Sequence, residues 1–162
     1  MHRLHVVTDP DRLYFAHMTV YPNGRKERLH GHNFRVFVDL DLRDGSFAGM
    51  IDLDIARIAL EEICKAWKER LLLATQNRFF ELVRDDHEVE FRLCGARYVV
   101  PRDEVVLLPI ENASVEGLAE HIAHLLRDHL APLGGILGYQ VRLEELPGIG
   151  ASFRLDLQHA AR

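Results

Sequence analysis

Hydrophobic and polar residues alternate along the first forty positions of the chain, a pattern typical of β-strands. Leu13, Phe15 and His17 fall on one face of a first strand, because side chains in a strand repeat with a period of two. After a polar turn at Pro22-Asn23-Gly24, a longer run alternates in the same way. One face of this run carries His30, His32, Phe34, Val36, Val38, Leu40 and Leu42. This pattern predicts a half-buried strand with two imidazoles at its leading end.

Two later segments change to helical spacing. Residues 53–71 repeat apolar side chains every three or four positions, and Asp52 or Asp54 is the candidate N-cap. The predicted inward residues of this helix are Ala56, Leu60, Ile63, Trp67 and Leu71. A second helix is predicted after Ser114 and ends before Pro132. Its predicted inward residues are Val115, Leu118, Ile122 and Leu125.

The remaining segments favour strands. Residues 88–100 predict a hairpin with Gly95 at its turn, and residues 139–145 and 152–158 predict two more strands. Strands and amphipathic helices in this order predict one α+β domain over residues 1–162. We expect an antiparallel β-sheet with two helices packed on one face.

Composition narrows the class of protein. A length of 162 residues is typical of one domain, and 20 Lys+Arg against 25 Asp+Glu argue against binding to nucleic acid. The chain has no long apolar run, and its first residues do not resemble a signal peptide, so we expect no membrane association. Two cysteines suggest reduced thiols and a cytoplasmic location.

Histidine is the main chemical signal. Among ten histidines, His17, His30 and His32 share strand faces that come together if the first two strands pair. Neutral imidazole is a common zinc ligand, and a catalytic zinc takes three protein ligands. The alternative is that these are hydrogen-bonded histidines of the core or its rim. The other seven lie on the second helix, near the termini or in a charged loop, and we expect none of them to bind metal.

An ordered set of motifs extends along the chain. It consists of YFAH at 14–17, LHGHNF at 29–34, GMIDL at 49–53, NASVEGLA at 112–119 and VRLEE at 141–145. This set resembles the 6-pyruvoyltetrahydropterin synthase family, which includes the 6-carboxytetrahydropterin synthases of queuosine biosynthesis. The resemblance covers nearly the whole chain except residues 80–108, where we expect an inserted β-hairpin.

The resemblance implies a T-fold that assembles into a homo-oligomeric barrel, usually a hexamer. It also implies that His17, His30 and His32 hold Zn²⁺, which binds the side-chain oxygens of 7,8-dihydroneopterin triphosphate. The family's late glutamate, which binds the N–H groups of the pterin ring, matches Glu145. Glu145 shares a strand face with Val141, and a carboxylate that accepts two parallel N–H bonds is a strong contact. The alternative is that Glu145 is a surface acid.

One departure from the family concerns the residue that acts as base. The family usually has a cysteine a few residues before its HGH motif, whereas this chain has Glu27 and the pattern E-x-x-H-G-H. This resembles the subgroup that cleaves the substrate side chain to 6-hydroxymethyl-7,8-dihydropterin for folate synthesis. A carboxylate beside zinc can serve as the general base for such a cleavage. Spacing alone favours an ordinary acid in a charged loop as the interpretation of Glu27, and the family resemblance reverses that preference.

A second departure concerns the family's Asp-His pair, whose matching positions here are Lys68 and Glu69. Glu69 could accept a proton in place of the histidine, or both residues could be solvated charges at a helix end. The leading hypothesis is therefore a zinc-dependent pterin enzyme with Glu27 and Glu69 as catalytic residues. The alternatives are a 6-carboxytetrahydropterin synthase, which the missing cysteine disfavours, a zinc- and pterin-binding protein without turnover, and a metal-free T-fold protein.

Overall fold

The computed structural model describes residues 2–8 and 13–157. Two α-helices are described, α1 (Leu53–Trp67) and α2 (Val115–Leu130). The described strands are β1 (His2–Val7), β2 (Tyr14–His17), β3 (His30–Asn33), β4 (Arg35–Leu42), β5 (Leu71–Ala74), β6 (Phe80–Asp85), β7 (Glu88–Leu93), β8 (Ala96–Pro101), β9 (Val105–Leu108), β10 (Ile136–Leu146) and β11 (Ile149–Asp156). Residue 158, the predicted end of the last strand, lies outside the described residues.

The first sheet is antiparallel, with strand order β1-β4-β10-β11. Its inner face consists of alternate residues such as Val36 and Val38 on β4 and Val141 and Leu143 on β10, all essentially inaccessible to solvent. These side chains form one core with the apolar faces of α1 and α2. The predicted α+β fold with two helices on an antiparallel sheet is confirmed.

Both helices begin where the sequence predicts. The Asp52 side chain caps α1 by accepting from the backbone N–H of residue 54, and the Ser114 side chain caps α2 by accepting from Gly117. Helix α1 ends at Trp67 rather than at 71, because Leu71 begins β5. The prediction that Leu125 faces inward is wrong: Leu125 is 38% exposed, and Leu126 is buried instead. Within the described residues, neither helix has the length and apolarity needed to cross a membrane.

The second sheet has strand order β3-β2-β5-β9 and lies beside the first. Strands β2 and β3 are antiparallel, whereas β2–β5 and β5–β9 are parallel pairs. The alternating run over residues 30–42 is divided between the two sheets, β3 in this one and β4 in the first. Strands β5 and β9 were not predicted, since each has only four residues and no clear alternation.

Strands β6, β7 and β8 form a separate three-stranded antiparallel sheet, which we call the small sheet (residues 80–101). Its β7–β8 hairpin is the predicted one, with Gly95 at φ +81°, and β6 adds a third strand. The small sheet covers the outer face of the second sheet. The contact is a second apolar cluster that contains Met18, Val20, Leu71, Leu73, Val89, Phe91, Leu93 and Val105.

Candidate active site

Strand pairing brings the three predicted histidines together. In the antiparallel ladder of β2 and β3, His17 is directly opposite His30, and His32 is opposite Phe15. One ring nitrogen from each of the three imidazoles lies within 4.8 Å of the others. The side chains converge because residues 17, 30 and 32 all have the inward parity of their strands. Three nitrogens at this separation are an arrangement that can hold one metal ion.

His17 is buried and has one ring nitrogen directed at the other two histidines. Its Nδ1 is 2.7 Å from the carbonyl oxygen of Ala113, and its Nε2 is buried without any hydrogen-bond partner in the described part of the chain. Desolvation by burial lowers the pKa of His17, although the Ala113 carbonyl acts in the opposite direction. The ring is therefore neutral at pH 7, with Nδ1 as donor and the lone pair of Nε2 available to a metal.

His30 is oriented in the same way. Its Nδ1 is 2.7 Å from the carbonyl oxygen of Arg28, which leaves Nε2 as the free nitrogen on the side of the other two rings. His32 completes the set at ring-centroid distances of 5.7 Å from His17 and 4.8 Å from His30. Three imidazoles, two of them fixed by backbone carbonyls, form a donor set that suits zinc.

A cluster of aromatic rings supports the histidines from the core side. Phe15 and Phe34 stack with ring centroids 3.9 Å apart, and Trp67 meets the Phe15 ring edge-on at 5.9 Å. The edges of His17 and His32 contact Phe34 at 5.5 and 5.7 Å. Since these aromatic rings are buried in a close-packed core, they restrict the rotamers of the two imidazoles.

Glu27 lies next to the histidines, at the end of a hairpin that continues from β2. Its backbone N–H donates to the carbonyl of Thr19 at 2.9 Å, and the Tyr21 hydroxyl donates to its Oε1 at 3.1 Å. The other carboxylate oxygen, Oε2, is 3.9 Å from Nε2 of His30. Desolvation acts to raise the pKa of Glu27, but hydrogen bonds from Thr19 and Tyr21 and the nearby imidazoles outweigh it and lower that pKa.

Glu145 lies near the end of β10, at a register shift between Glu144 and Leu146 in the pairing with β11, so the alternation predicted from Val141 does not continue regularly through it. Its charge acts to raise the pKa of His17, which puts the carboxylate on the histidine side of the molecule. Glu144 pairs with Arg142. The pterin-binding role of Glu145 stays a prediction.

Glu69 and His32 line one cavity together with Tyr14. Oε1 of Glu69 accepts a 2.6 Å hydrogen bond from the hydroxyl of Tyr14, and Tyr14 has the opposite parity to His17 on β2. Lys68 lies over the same tyrosine ring, with Nζ 4.8 Å from the centroid. Glu69 has a φ of +61°, a conformation that non-glycine residues rarely adopt.

Sequence reasoning missed three groups that orient the site. The carbonyl oxygen of Ala113 fixes the ring of His17. The side chain of the adjacent Asn112 forms hydrogen bonds with the backbone of Val20, in the segment that follows β2. A backbone carbonyl leaves no signal in a sequence. The hydroxyl of Tyr21 donates to Glu27. The sequence could have indicated this residue, because residues 17, 19 and 21 continue the alternation of β2 on one strand face.

Comparison with known proteins identifies the family. The model of the family described as 6-pyruvoyl tetrahydropterin synthase matches residues 7–156. The chain belongs to this family. A protein of Methanocaldococcus jannaschii, provisionally named 6-carboxy-5,6,7,8-tetrahydropterin synthase, is 30% identical over 135 residues, which cover 80% of this chain and 82% of that protein. The chain is accordingly a pterin enzyme of the tetrahydropterin synthase type.

Solved structures of the same family have the same fold. The 6-pyruvoyl tetrahydropterin synthase of Plasmodium vivax superposes with a TM-score of 0.84 at 20% identity, over 96% of this chain and 99% of that chain. The Plasmodium falciparum enzyme gives a TM-score of 0.81 at 21% identity, over 95% and 98% of the two chains. At these identities the similarity concerns the fold, and it confirms the T-fold expected from the motifs.

Proposed function

We propose that this chain is a zinc-dependent enzyme that cleaves the side chain of 7,8-dihydroneopterin triphosphate, or a close relative, to 6-hydroxymethyl-7,8-dihydropterin. The observation that carries the proposal is the position of Glu27, whose carboxylate lies 3.9 Å from Nε2 of His30 at the edge of the three-histidine cluster. This arrangement provides an acid–base group next to a metal site, which side-chain cleavage requires.

The residues present fit zinc. Nε2 of His17 is a buried, unpartnered nitrogen, and Nε2 of His30 is freed by the bond between Nδ1 and the Arg28 carbonyl. His17, His30 and His32 would hold the ion and leave a coordination position open to substrate. When bound, zinc supplies Lewis acidity toward the hydroxyl oxygens of the pterin side chain.

Glu27 would carry the proton. In a retro-aldol cleavage, the carboxylate accepts the proton of the hydroxyl on the carbon that departs as an aldehyde. The carbon–carbon bond breaks, and a proton returns to the carbon that stays attached to the pterin ring. The lowered pKa keeps Glu27 ionised at neutral pH, which is the state a base needs, and Tyr21 and Thr19 hold its orientation.

Glu145 would orient the pterin. A carboxylate that accepts two parallel N–H bonds from a heterocycle fixes both the position and the rotation of the ring. Its charge acts to raise the pKa of His17, and the adjacent Glu144 is already paired with Arg142, which supports this role for Glu145. Glu69, whose Oε1 accepts a hydrogen bond from the Tyr14 hydroxyl, is the second proposed catalytic residue.

The name of the Methanocaldococcus jannaschii relative favours a second candidate, 6-carboxytetrahydropterin synthase. The chain lacks the cysteine that the resemblance leads us to expect for that activity. Cys64 is buried in α1, and Cys94 lies at the β7–β8 turn. Two further structures of the Plasmodium vivax enzyme carry alanine or cysteine in place of a glutamate described as a catalytic residue, so a glutamate acts in that enzyme. This supports a catalytic role for a glutamate, as proposed for Glu27.

We also propose a homo-oligomer, a hexamer by family resemblance, with a cytoplasmic location. Strands β1 and β11 are the unpaired edges of the first sheet within the described residues, and a sheet edge is a site where another chain can add a strand. Light scattering after size-exclusion chromatography should give several times the monomer mass of 18.6 kDa, and a monomer would contradict the assembly.

The products formed from 7,8-dihydroneopterin triphosphate decide between the two reactions. Zinc-loaded protein should yield 6-hydroxymethyl-7,8-dihydropterin, identified by mass spectrometry. A 6-carboxytetrahydropterin product would establish the second candidate instead. Unchanged substrate would contradict both, and the retention of bound pterin in that case would indicate a binding protein without turnover.

A further inference from the structure

We propose that the small sheet is a positioning element for Glu27, which it holds through Lys26 and the tip of the preceding hairpin. The inference depends on the proposed role of Glu27 as base. Residues 80–101 supply none of the proposed ligands or catalytic groups, and this positioning would be their contribution to the site. The hairpin concerned comprises residues 19–27 and is called the Glu27 hairpin below.

Alternate residues of the Glu27 hairpin face two different parts of the molecule. Val20 and Lys26 form an antiparallel bridge, so their side chains project to the same side. Thr19 and Glu27 are the next opposed pair, and their side chains project to the other side, toward His30. A movement of the hairpin face that carries Val20 and Lys26 therefore also moves the carboxylate of Glu27.

Lys26 connects Glu27 to the small sheet. Its Nζ lies 5.2 Å from the centroid of the Tyr98 ring on β8, a cation–π contact. The same ammonium donates to the backbone carbonyl of Glu27 at 3.2 Å and approaches the sulfur of Met18 at 3.7 Å. One side chain thus joins the ring of Tyr98 to the backbone of the proposed base.

The tip of the hairpin is held by the residues that lead into β6. Gly24 has a φ of +82°, and a Cβ at this position would lie 3.3 Å from the ring of Phe79. The Arg78 side chain donates to the carbonyl oxygen of Pro22, and its guanidinium lies 4.7 Å from the Phe79 ring centroid. The backbone of the turn is therefore in direct contact with the start of the small sheet.

Apolar packing makes this support rigid. Val20 is buried in one cluster with Val89 and Phe91 of β7. Tyr98 stacks on Phe91 with ring centroids 4.9 Å apart and nearly parallel planes. The ring that faces Lys26 is consequently fixed by the core of the small sheet rather than by solvent-exposed contacts.

The outer face of the small sheet carries exposed ion pairs and provides a control variant for Tyr98. Arg97 pairs with Glu90 at 2.7 Å, and Arg84 pairs with Glu88 at 2.6 Å, with both arginines largely exposed. Exposed ion pairs of this kind contribute little to stability. Arg97 is the neighbour of Tyr98 on β8 and projects away from the Glu27 hairpin, so Arg97→Ala is a matched control.

The test is hydrogen–deuterium exchange of the segment 20–28 in full-length, zinc-loaded protein. Tyr98→Leu keeps apolar volume but removes the aromatic ring, and we expect exchange in this segment to become about tenfold faster. Tyr98→Phe keeps the ring and should retain wild-type exchange, as should Arg97→Ala. Unchanged exchange in Tyr98→Leu, or equal acceleration in Arg97→Ala, would overturn the proposal.

Turnover gives a second readout. Zinc content and KM should remain at wild-type values in Tyr98→Leu, while kcat falls about tenfold because the base is misplaced, and Tyr98→Phe should restore it. A kcat equal to that of wild type would overturn the positioning role. If the wild-type protein shows no turnover, the proposed function fails, but the exchange experiment still tests whether the small sheet holds the Glu27 hairpin.

Discussion

Nδ1 of His17 on β2 lies 2.7 Å from the carbonyl oxygen of Ala113, the residue before the N-cap of α2. The adjacent Asn112 bonds both backbone groups of Val20, with 3.0 Å to the N–H and 3.0 Å to the carbonyl. This clamp fixes the loop that carries the carbonyl against the strand that carries the imidazole. The orientation of one metal ligand is therefore determined by a segment 96 residues away in sequence.

The two hydrogen bonds between Asn112 and Val20 should raise the affinity of the site for zinc. Asn112→Ala removes both bonds to Val20 and loosens the Ala113 carbonyl, so zinc affinity should fall about 10- to 100-fold. Titration against a competing chelator measures this. Asn23→Ala, in an exposed turn, should leave affinity unchanged. Wild-type affinity in Asn112→Ala would show that the carbonyl is held by other contacts.

The histidine cluster predicts one zinc per chain. His32→Ala removes a half-buried ligand without disturbing the buried His17, so the purified variant should contain little zinc and remain folded. Elemental analysis gives the stoichiometry, and circular dichroism checks the fold. His129→Ala, on the exposed face of α2, should keep the full zinc content. A full complement of zinc in His32→Ala would exclude the three-histidine site.

Glu145 and Glu144 form a natural pair of test and control. Glu145→Gln replaces a charged acceptor by a neutral amide, so binding of the pterin ring should weaken and KM rise about tenfold or more. Glu144→Gln alters a carboxylate that is already paired with Arg142 and should change KM little. Steady-state kinetics with both variants measures the difference. An equal rise in both would mean that the effect is structural.

A buried carboxylate stabilises the first sheet and makes stability depend on pH. Asp41 is 1% exposed, accepting from Nε of Arg3 at 2.7 Å and from Arg154 at 2.6 Å. The hydrogen bond from Arg3 is the largest cause of its lowered pKa, and Arg154 adds to it against the effect of burial. Asp41→Asn should lower the free energy of unfolding by about 2 kcal/mol at pH 7.

The pH dependence has a definite sign. Since the folded pKa of Asp41 lies below the unfolded value of about 3.9, its contribution is complete above that value and is lost as pH falls through the folded pKa. Urea unfolding should show a constant difference between wild type and Asp41→Asn from pH 7 to pH 5, narrowing below about pH 4. The exposed Asp156, replaced by Asn, should change stability little. A difference that widens in acid would refute the assignment.

The sequence predicted those parts of the fold whose signal is local. Alternation at Phe15 and His17 and helical spacing around Leu60 and Leu118 reflect burial of one face, and the structure has those faces buried. Strand β5 could not be predicted because its three leucines are all buried, two against the small sheet and one against the helices. A strand that is covered on both faces loses its alternation.

The sequence predicts which residues form the candidate site, but not the contacts that orient them. The histidines and Glu27 could be proposed from motif and parity, and the structure brings them together. The Ala113 carbonyl and the contact of Lys26 with Tyr98 depend on tertiary packing between distant segments, and no local pattern encodes such contacts. The catalytic role of Glu69, which rests on its alignment with a motif, stays a prediction, and its hydrogen bond to Tyr14 is a tertiary contact of the same kind.

Glu27 is proposed to transfer the proton beside a zinc ion held by three histidines. The most direct measurement compares zinc-loaded wild type with Glu27→Gln, using 7,8-dihydroneopterin triphosphate and mass detection of 6-hydroxymethyl-7,8-dihydropterin. We expect one zinc per chain in both proteins, and at least about a hundredfold less product in the variant. A variant that forms product at the wild-type rate would contradict this role of Glu27.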